Sequence, residues 1–345
     1  MTREYTYNLR VRSYECDSLG HVNNAVYQQY LEEAAVSASS DVGFGLAWYR
    51  ARGEAWVVRD MTLEYLYPAI AGDELSVTTW ISTIGRVRGN REYEIRRLGG
   101  PDSNFHFGAE DHAGRHALAS DDSAVDPANE SAPDHPGQII ARGTANWVYV
   151  NVETGRPTPF PKESVPAFDP NGKSVTKPLA LPAKGISAAT YRWEHDIRHY
   201  ELDSNNHVNN AIYLHWLEEA KYRAVIEVGW PPERMLEHGF SIVQIRHDTH
   251  YLLPAFYPGT VEITSRFYEL RHASGTWEHE IRRASTGELL LRNYSTGTYL
   301  GPNRRPVRPP KEFIEALLVG PAPSDKANGS DEGIRAAGQT ETAGC

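Results

Sequence analysis

The chain has 345 residues, of which 40% are hydrophobic and 23% charged, and its formal net charge is −10 at pH 7. An acidic balance argues against a nucleic-acid partner, which needs clustered Lys and Arg. No run of eighteen apolar residues is present to span a membrane. Cys16 and Cys345 alone form no disulfide framework. The first residues lack the apolar core of a signal peptide, so we expect a cytoplasmic protein without nucleic-acid or membrane partners.

In chain order, the first element is a strand. Polar and apolar residues alternate over residues 3–13, which is the period of a half-buried strand, and residues 191–199 behave in the same way. Each of these strands leads into a polar stretch and then into a segment with helical periodicity. The sequence therefore predicts the same strand, loop and helix twice.

The polar stretch and the helix are copies of one another. Residues 14–34 and 200–220 are related by an offset of 186, and 14 of these 21 positions are identical. Such self-similarity indicates an internal duplication. In both copies the apolar residues recur at i, i+1, i+4 and i+5, which predicts a helix with one broad apolar stripe, flanked by Glu32-Glu33 and Glu218-Glu219.

After each helix the sequence predicts a series of strands rich in β-branched and aromatic residues. In the first half these begin at Trp56, Thr62, Glu74 and Arg91, and in the second half at Ile242, Thr249, Thr260 and Trp277. Residues 94–97 recur as 280–283, still at an offset of 186. Each half is thus predicted to be α+β, with an antiparallel sheet that wraps its helix.

The domain organisation follows from the positions at which the offset between the two copies changes. They rejoin at Arg156-Pro157 and Arg305-Pro306, at an offset of 149, so the first half carries 37 extra residues. We predict an N-terminal domain over 1–163 with a disordered insertion at about 99–137, and a C-terminal domain over 188–319. A proline-rich linker over 164–187 joins them, and a disordered tail over 320–345 follows.

The repeated polar stretch places a carboxylate, Asp17 or Asp203, just before a helix. Unpaired N–H groups at a helix N-terminus can stabilise the oxyanion that forms when a carbonyl is attacked. The carboxylate can then act as a general base or as a nucleophile, with His21 or His207 to orient it. The competing interpretation is that Asp and Asn cap the helix and His lies in a turn. Retention of Asp-Ser-x-x-His-Val-Asn-Asn in both copies favours chemistry.

The first copy, Asp-x-x-Gly-His-Val-Asn-Asn-x-x-Tyr with an acidic residue after it, resembles the 4-hydroxybenzoyl-CoA thioesterase branch of the hotdog superfamily. The second copy is similar to the acyl-ACP thioesterases, which are tandem hotdogs with an Asp-x-Asn-x-His site in the C-terminal repeat. The resemblance implies a double hotdog, in which two antiparallel sheets each wrap a long helix and pair as an intramolecular pseudo-dimer. It implies hydrolysis of acyl thioesters on CoA or acyl carrier protein, without a cofactor or metal, and leaves open a homo-oligomer formed by hotdog pairing.

By this resemblance, the catalytic residues are Asp203, Asn205 and His207, with Asp17 and His21 in the first copy. The expected substrate-binding residues follow each His, and they are Asn209, Asn210, Tyr213, Asn23, Asn24 and Tyr27. Amides near Asn23 and Asn209 are expected to form the oxyanion hole. Leu19 replaces the motif Asn in the first copy, so the first repeat is the one expected to be structural.

The acyl-ACP enzymes also carry an acidic residue after Arg-Arg in a late strand. Here Ala284 follows Arg282-Arg283, and Glu280 is the nearest acidic candidate for that role.

Two other functions remain open from the sequence. One is a non-catalytic acyl-thioester binding protein. The other is a hotdog enoyl-CoA hydratase, whose motif has a Pro before a His five residues after the Asp, whereas here the His comes at four with no Pro.

Three weaker features are expected to be structural. Asp111, His112 and His116 have a spacing that metals use but lie in the polar insertion. Cys16 corresponds to Leu202 in the other copy, and because an apolar side chain takes its place there, we expect the Cys16 thiol to be packed in the interior. The basic run 303–311 could meet a carrier protein or CoA phosphates, but the first repeat has a less basic analogue, so a solvated closing strand is the favoured interpretation.

Overall fold

The computed structural model describes residues 3–100 and 137–321. Residues 101–136 and 322–345 lie outside the described ranges, so nearly all of the predicted insertion and tail falls there. So do Asp111, His112 and His116.

The two halves present the same elements in the same order. The first half contains β1 (Glu4–Arg10), α1 (Asn24–Asp41), α2 (Leu46–Arg52), β2 (Glu54–Tyr65), β3 (Glu74–Ile84), β4 (Arg88–Gly99), β5 (Gln138–Asn151) and the short α3 (Val165–Phe168). The second half contains β6 (Tyr191–Asp196), α4 (Ile212–Glu227), α5 (Pro232–Glu237), β7 (Ser241–Tyr251), β8 (Thr260–Leu270), β9 (Ser274–Arg283), β10 (Leu289–Leu300) and α6 (Lys311–Val319). The predicted duplication is therefore visible element by element.

All ten strands belong to one sheet, in the order β1-β3-β4-β5-β2-β7-β10-β9-β8-β6. The halves meet where β2 and β7 pair antiparallel, from Asp60 opposite His250 to Glu64 opposite Arg246. The prediction of two sheets was wrong in this respect, because they are halves of one continuous sheet. An unpaired strand edge exposes N–H and C=O groups, and pairing β2 with β7 satisfies them.

Both long helices pack on the sheet, and they also contact each other. Leu31 and Ala34 of α1 and Leu217 of α4 are fully buried, as the broad apolar stripe predicted. Each helix forms its own hydrophobic cluster with the strands of its half. The predicted α+β fold, two helix-wrapping hotdog units paired within one chain, is confirmed. No helix in the described part of the chain has both the length and the apolar character needed to cross a membrane.

The sequence divided β2 into two strands, but the structure has one strand with a register shift between Val58 and Asp60. Polar residues at this point bind the other half, since the Arg59 guanidinium donates to the Tyr251 carbonyl at 2.7 Å and the Asp60 carboxylate lies 2.7 Å from His250 Nδ1. The bulge thus places polar side chains at the seam between the halves.

The segment predicted as an extended linker runs across the sheet of the first half. The Trp80 indole donates to the Lys173 carbonyl at 3.0 Å, and the Val175 amide donates to the Glu92 carboxylate at 3.2 Å. Further along, the Tyr268 hydroxyl donates to the Pro182 carbonyl at 2.9 Å. These contacts tie the connection to both halves of the sheet.

Candidate active site

The two polar loops are anchored in the same way by a buried glutamate. In the first loop the Tyr30 hydroxyl donates to the Glu15 carboxylate at 2.8 Å, and in the second the Trp216 indole donates to the Glu201 carboxylate at 3.0 Å. Gly20 in the first loop and Asn206 in the second, which are 186 residues apart, both have a left-handed backbone. The duplicated sequence therefore folds into duplicated loops.

An asparagine precedes each long helix and binds a backbone amide two residues on. Asn23 Oδ1 accepts a hydrogen bond from the Ala25 amide, and Asn209 Oδ1 accepts one from the Ala211 amide, both at 2.9 Å. Asn23 is the N-cap of α1, as the capping interpretation predicts, whereas the Asn209 oxygen binds within the turn that precedes α4. These bonds leave the amide nitrogens of both side chains for another partner.

That partner is a glutamate on the helix of the other half. Asn23 Nδ2 donates to Glu218 Oε2 at 2.7 Å, and Asn209 Nδ2 donates to Glu32 Oε2 at 3.2 Å. We call the first group, with Asp17 and His21, site 1, and the second, with Asp203, Asn205 and His207, site 2. Each site is therefore assembled from both repeats.

Sequence reasoning missed these two glutamates as site residues and treated them as the acidic flank of a helix. The available signal was their identity at corresponding positions of the two copies, Glu32 and Glu218. It did not suffice, because a flanking Glu on an amphipathic helix is ordinary. Only the packing of α1 against α4 brings each one to the opposite loop.

In site 1, the Asp17 carboxylate is bound by its own loop. Its Oδ1 atom accepts from the Leu19 amide at 2.8 Å and from the His21 amide at 3.2 Å. Burial lowers the pKa of His21, and the nearby charge of Arg304 lowers it further against the opposing effect of Asp17. The basic run of residues 303–311 therefore approaches site 1 through Arg304.

In site 2, the aspartate and the histidine side chains meet. Asp203 Oδ1 accepts from the Asn205 amide at 2.7 Å, and Asp203 Oδ2 lies 3.4 Å from His207 Nδ1. Burial by itself would raise the pKa of Asp203, but bonds from His207 and from the backbone amides outweigh it and lower that pKa. Asp203 is thus held in its ionised form.

Glu32, the second carboxylate of site 2, is shifted in the other direction. Burial raises its pKa, and the nearby charge of Asp203 adds to the rise against the bond from Asn209. Two carboxylates whose pKa values are separated by their surroundings are typical of acid–base sites.

Some of the backbone amides expected to form the oxyanion hole already donate hydrogen bonds within the protein. The amides of Asn23 and Asn209 donate to the Glu15 and Glu201 carbonyls, both at 2.9 Å. The next amide along in site 2, that of Asn210, makes no such bond among the described residues. It lies in the turn immediately before α4, close to the N-terminal end of the helix.

Tyr27 and Tyr213 lie in the core beneath the loops. They are 2% and 3% exposed, and their hydroxyl oxygens accept from the Ala69 amide at 2.9 Å and from the Ala255 amide at 3.2 Å. These bonds hold the loop that follows β2 or β7 against its helix. The structure therefore gives these two tyrosines a positioning role next to the sites.

A small cavity of about 10 Å³ adjoins site 2 inside the first half. Its lining residues come from α1, β2, β4, β5 and the second loop, and they are Gln28, Glu32, Val58, Met61, Tyr93, Trp147 and Asn210. Glu32 is thus shared by the site and the cavity. A cavity of this size has room for about one water molecule.

The corresponding positions of the second half are occupied by polar side chains. Gln244 stands where the first half has Val58, and His247 where it has Met61. The Lys221 ammonium, which replaces Ala35, donates to Gln244 Oε1. The cavity next to site 2 therefore has no apolar equivalent next to site 1.

Glu280 does not supply the acidic residue expected after Arg-Arg. It forms ion pairs with Arg282, at 2.8 Å, and with Arg292. Its neighbour Ile281 is fully buried against the helix, so Glu280 faces the opposite side of the sheet. Among the described residues, no group of three or more His, Cys, Asp or Glu is arranged to hold a metal ion.

Solved structures match most of the chain. Among them are a putative oleoyl thioesterase of Lactobacillus plantarum, with a TM-score of 0.63 at 19% identity, and the 12:0-ACP thioesterase of Umbellularia californica, with 0.60 at 20%. Each match covers 86% of this chain, and 96% and 94% of the respective structures. At this identity the likeness concerns the fold, which is the double hotdog.

Curated relatives match by sequence. The chloroplastic palmitoyl-acyl carrier protein thioesterase of Cuphea hookeriana is 25% identical over 239 residues, 64% of this chain and 47% of the relative. The long-chain acyl-CoA thioesterase FadM of Escherichia coli is 32% identical over 94 residues, 27% of this chain and 70% of the relative. The chain spans about half the length of the acyl carrier protein thioesterase.

A family model covers both repeats. The model described as the thioesterase-like superfamily matches residues 11–168 and again residues 197–317. These two matches contain both loops, both long helices and all the residues of sites 1 and 2. The chain is a member of the thioesterase-like superfamily, with two copies of the family's unit in one polypeptide.

Proposed function

We propose that this protein hydrolyses acyl thioesters, carried on CoA or on acyl carrier protein, and that site 2 performs the reaction. The observation that carries the proposal is the composite arrangement of site 2. There an ionised Asp203 beside His207 and a Glu32 of raised pKa meet at the start of α4 and at the mouth of a cavity. Family membership and the relatives' thioesterase activity support thioester hydrolysis.

In the proposed reaction, a water oxygen attacks the thioester carbonyl carbon. Glu32 accepts the water proton, because a carboxylate of raised pKa is the stronger base near neutral pH. The Asn210 amide and the N-terminal end of α4 stabilise the oxyanion. The C–S bond then breaks, and the proton passes to the leaving sulfur.

Asp203 orients the groups that take part in the reaction. Its lowered pKa keeps it ionised, so it holds the His207 ring and places a fixed negative charge beside the attacking water. Site 1 has a different environment, since its aspartate is bound by loop amides and polar side chains fill the adjoining interior. We therefore assign site 1 a supporting role.

The test compares two matched substitutions. Thiol release from a panel of acyl-CoA and acyl-carrier-protein thioesters is measured for wild type, Asp203→Asn and Asp17→Asn. We expect Asp203→Asn to lower kcat/KM by about 100-fold or more and Asp17→Asn by no more than a few-fold. Equal losses would show two working sites, and a loss on Asp17→Asn alone would overturn the assignment to site 2. Binding without thiol release by wild type would support a non-catalytic binding protein.

A further inference from the structure

Gln28 places an unpaired polar atom on the small cavity that adjoins site 2. This side chain belongs to α1 and is 2% exposed. Gln28 Oε1 makes no hydrogen bond within the described residues. Two other polar groups of the lining, the Tyr93 hydroxyl and the Trp147 indole, interact with each other. Because buried polar atoms in folded proteins are nearly always paired, Gln28 Oε1 requires a partner inside the cavity.

The orientation of the Gln28 amide is fixed by its neighbours. The Tyr251 hydroxyl has one hydrogen, which it donates to the Asn210 carbonyl at 3.0 Å. The hydroxyl oxygen therefore accepts from Gln28 Nε2, at 2.8 Å. Gln28 Oε1 is consequently the atom that faces the cavity without a partner, and it can only accept a hydrogen bond.

The cavity provides a second acceptor beside Gln28. Glu32 lines it as well, and its volume of about 10 Å³ has room for one water molecule. Glu32 Oε2 accepts from Asn209 Nδ2, whereas Glu32 Oε1 accepts no hydrogen bond from the described residues. A water molecule has two hydrogens to donate, and Gln28 Oε1 and the Glu32 carboxylate are the two acceptors that receive them.

The corresponding positions of the other repeat show that Gln28 is not needed to hold the loop. Leu214 replaces Gln28 at the offset of 186, and a leucine offers no acceptor. The Tyr65 hydroxyl, the counterpart of Tyr251, still donates to the Asn24 carbonyl at 3.1 Å. The bond between tyrosine and loop is therefore common to both sites, while the acceptor on the cavity is present next to site 2 alone.

We propose that Gln28 is a positioning residue of site 2, which together with Glu32 holds the attacking water in this cavity. This deepens the proposed function and rests on it. With its hydrogens on Gln28 Oε1 and on the Glu32 carboxylate, the water has a lone pair left for the thioester carbonyl carbon. As the C–O bond forms, the O–H bond on the Glu32 side breaks and Glu32 takes the proton. The C–S bond then breaks and that proton passes to the sulfur, while Gln28 exchanges no proton.

The kinetic test compares the same substitution at two neighbouring positions of α1. Gln28→Leu installs the residue of the other repeat, and Gln29→Leu changes an exposed side chain. On acyl-CoA thioesters we expect Gln28→Leu to lower kcat by about 10-fold or more and to leave KM within about two-fold of wild type, because Gln28 contacts the water and not the ester. Gln29→Leu should match wild type. If Gln28→Leu does not fold, Gln28→Met keeps the length of the side chain and should show the same loss.

Tyr251→Phe separates the holding of the water from the support of the loop. It removes the hydroxyl between Gln28 and Asn210 but retains the Gln28 side chain on the cavity. The loss in kcat should therefore be smaller than for Gln28→Leu. Equal losses in the two variants would mean that Gln28 acts through the loop, which overturns the inference.

A crystal structure gives a readout that does not depend on turnover. In wild type we expect an ordered water within hydrogen-bonding distance of Gln28 Oε1 and the Glu32 carboxylate, and in Gln28→Leu we expect this water to be lost. If no water lies there, or if kcat is unchanged in Gln28→Leu so that the water is structural only, the inference is overturned while thioester hydrolysis stands. If wild type releases thiol from no ester, the proposed function fails and the positioning role fails with it.

Discussion

The interior beneath α1 and the interior beneath α4 occupy corresponding places in one duplicated fold, but their chemistry differs. Beneath α1 the sheet presents Val58, Met61 and Leu63, whereas beneath α4 it presents Gln244, His247 and Thr249. The loops that carry the family motif have stayed nearly identical. The comparison shows that the shared motif determines the conformation of the loop, whereas the sheet residues beneath the helix determine whether the adjoining interior is apolar or polar.

The polar interior beneath α4 is paired within itself. Asn293 Nδ2 donates to Thr249 at 2.7 Å, and its Oδ1 lies 3.4 Å from His247 Nδ1. Burial lowers the pKa of Lys221 to about 8. Since the polar groups of this network bind one another, the interior beneath α4 acts as a filled core.

The largest expected effect tests whether the two cross-repeat glutamates are equivalent. Glu32→Gln should lower kcat/KM by about 100-fold, whereas Glu218→Gln should cost no more than a few-fold. Because burial raises the pKa of Glu32, the acid limb of the wild-type pH profile should lie above the ordinary glutamate value of 4.5. This limb should be absent from the residual activity of Glu32→Gln. Equal losses in the two variants would make the sites equivalent.

An intermediate effect concerns acid stability. Burial lowers the pKa of His247 to about 3 from an ordinary 6.5, so below pH 6.5 the unfolded chain binds a proton that the folded protein does not. The free energy of unfolding therefore falls as the pH falls. His247→Met, the residue of the first half, should reduce that slope between pH 6 and 4 by about 1.4 kcal/mol per pH unit.

Denaturant unfolding at several pH values measures this slope. The exposed His272→Gln is the control and should leave the slope as in wild type. A wild-type slope in His247→Met would mean that His247 contributes no buried neutral imidazole.

The smallest effect exchanges the residue that distinguishes the two loops. Asn205 is exposed, and its side chain lies 3.5 Å from Asp203, so Asn205→Leu should lower kcat/KM by a few-fold. The reciprocal Leu19→Asn should change activity little, because the interior next to site 1 is filled. A gain of activity in Leu19→Asn that survives Asp203→Asn would show that the motif alone makes a site.

Several features followed from the sequence because they depend on local pattern. The duplication fixed the fold class, and the apolar stripe of each helix identified buried residues such as Leu31 and Leu217. Capping of α1 by Asn23 followed from its position before a helical segment. One failure was also local, since a single strand with a register shift between Val58 and Asp60 was predicted as two strands.

The sequence by itself determined that this protein is a tandem of one α+β unit with a polar motif before each long helix. The periodicity of side chains and the identity of the two copies carry that information. Tertiary structure alone joined the halves into one sheet, brought Glu32 to Asn209, and turned Gln28, Tyr93 and Trp147 toward one cavity. These contacts connect residues far apart in the chain, and their register depends on how α1 packs against α4, which no local pattern encodes.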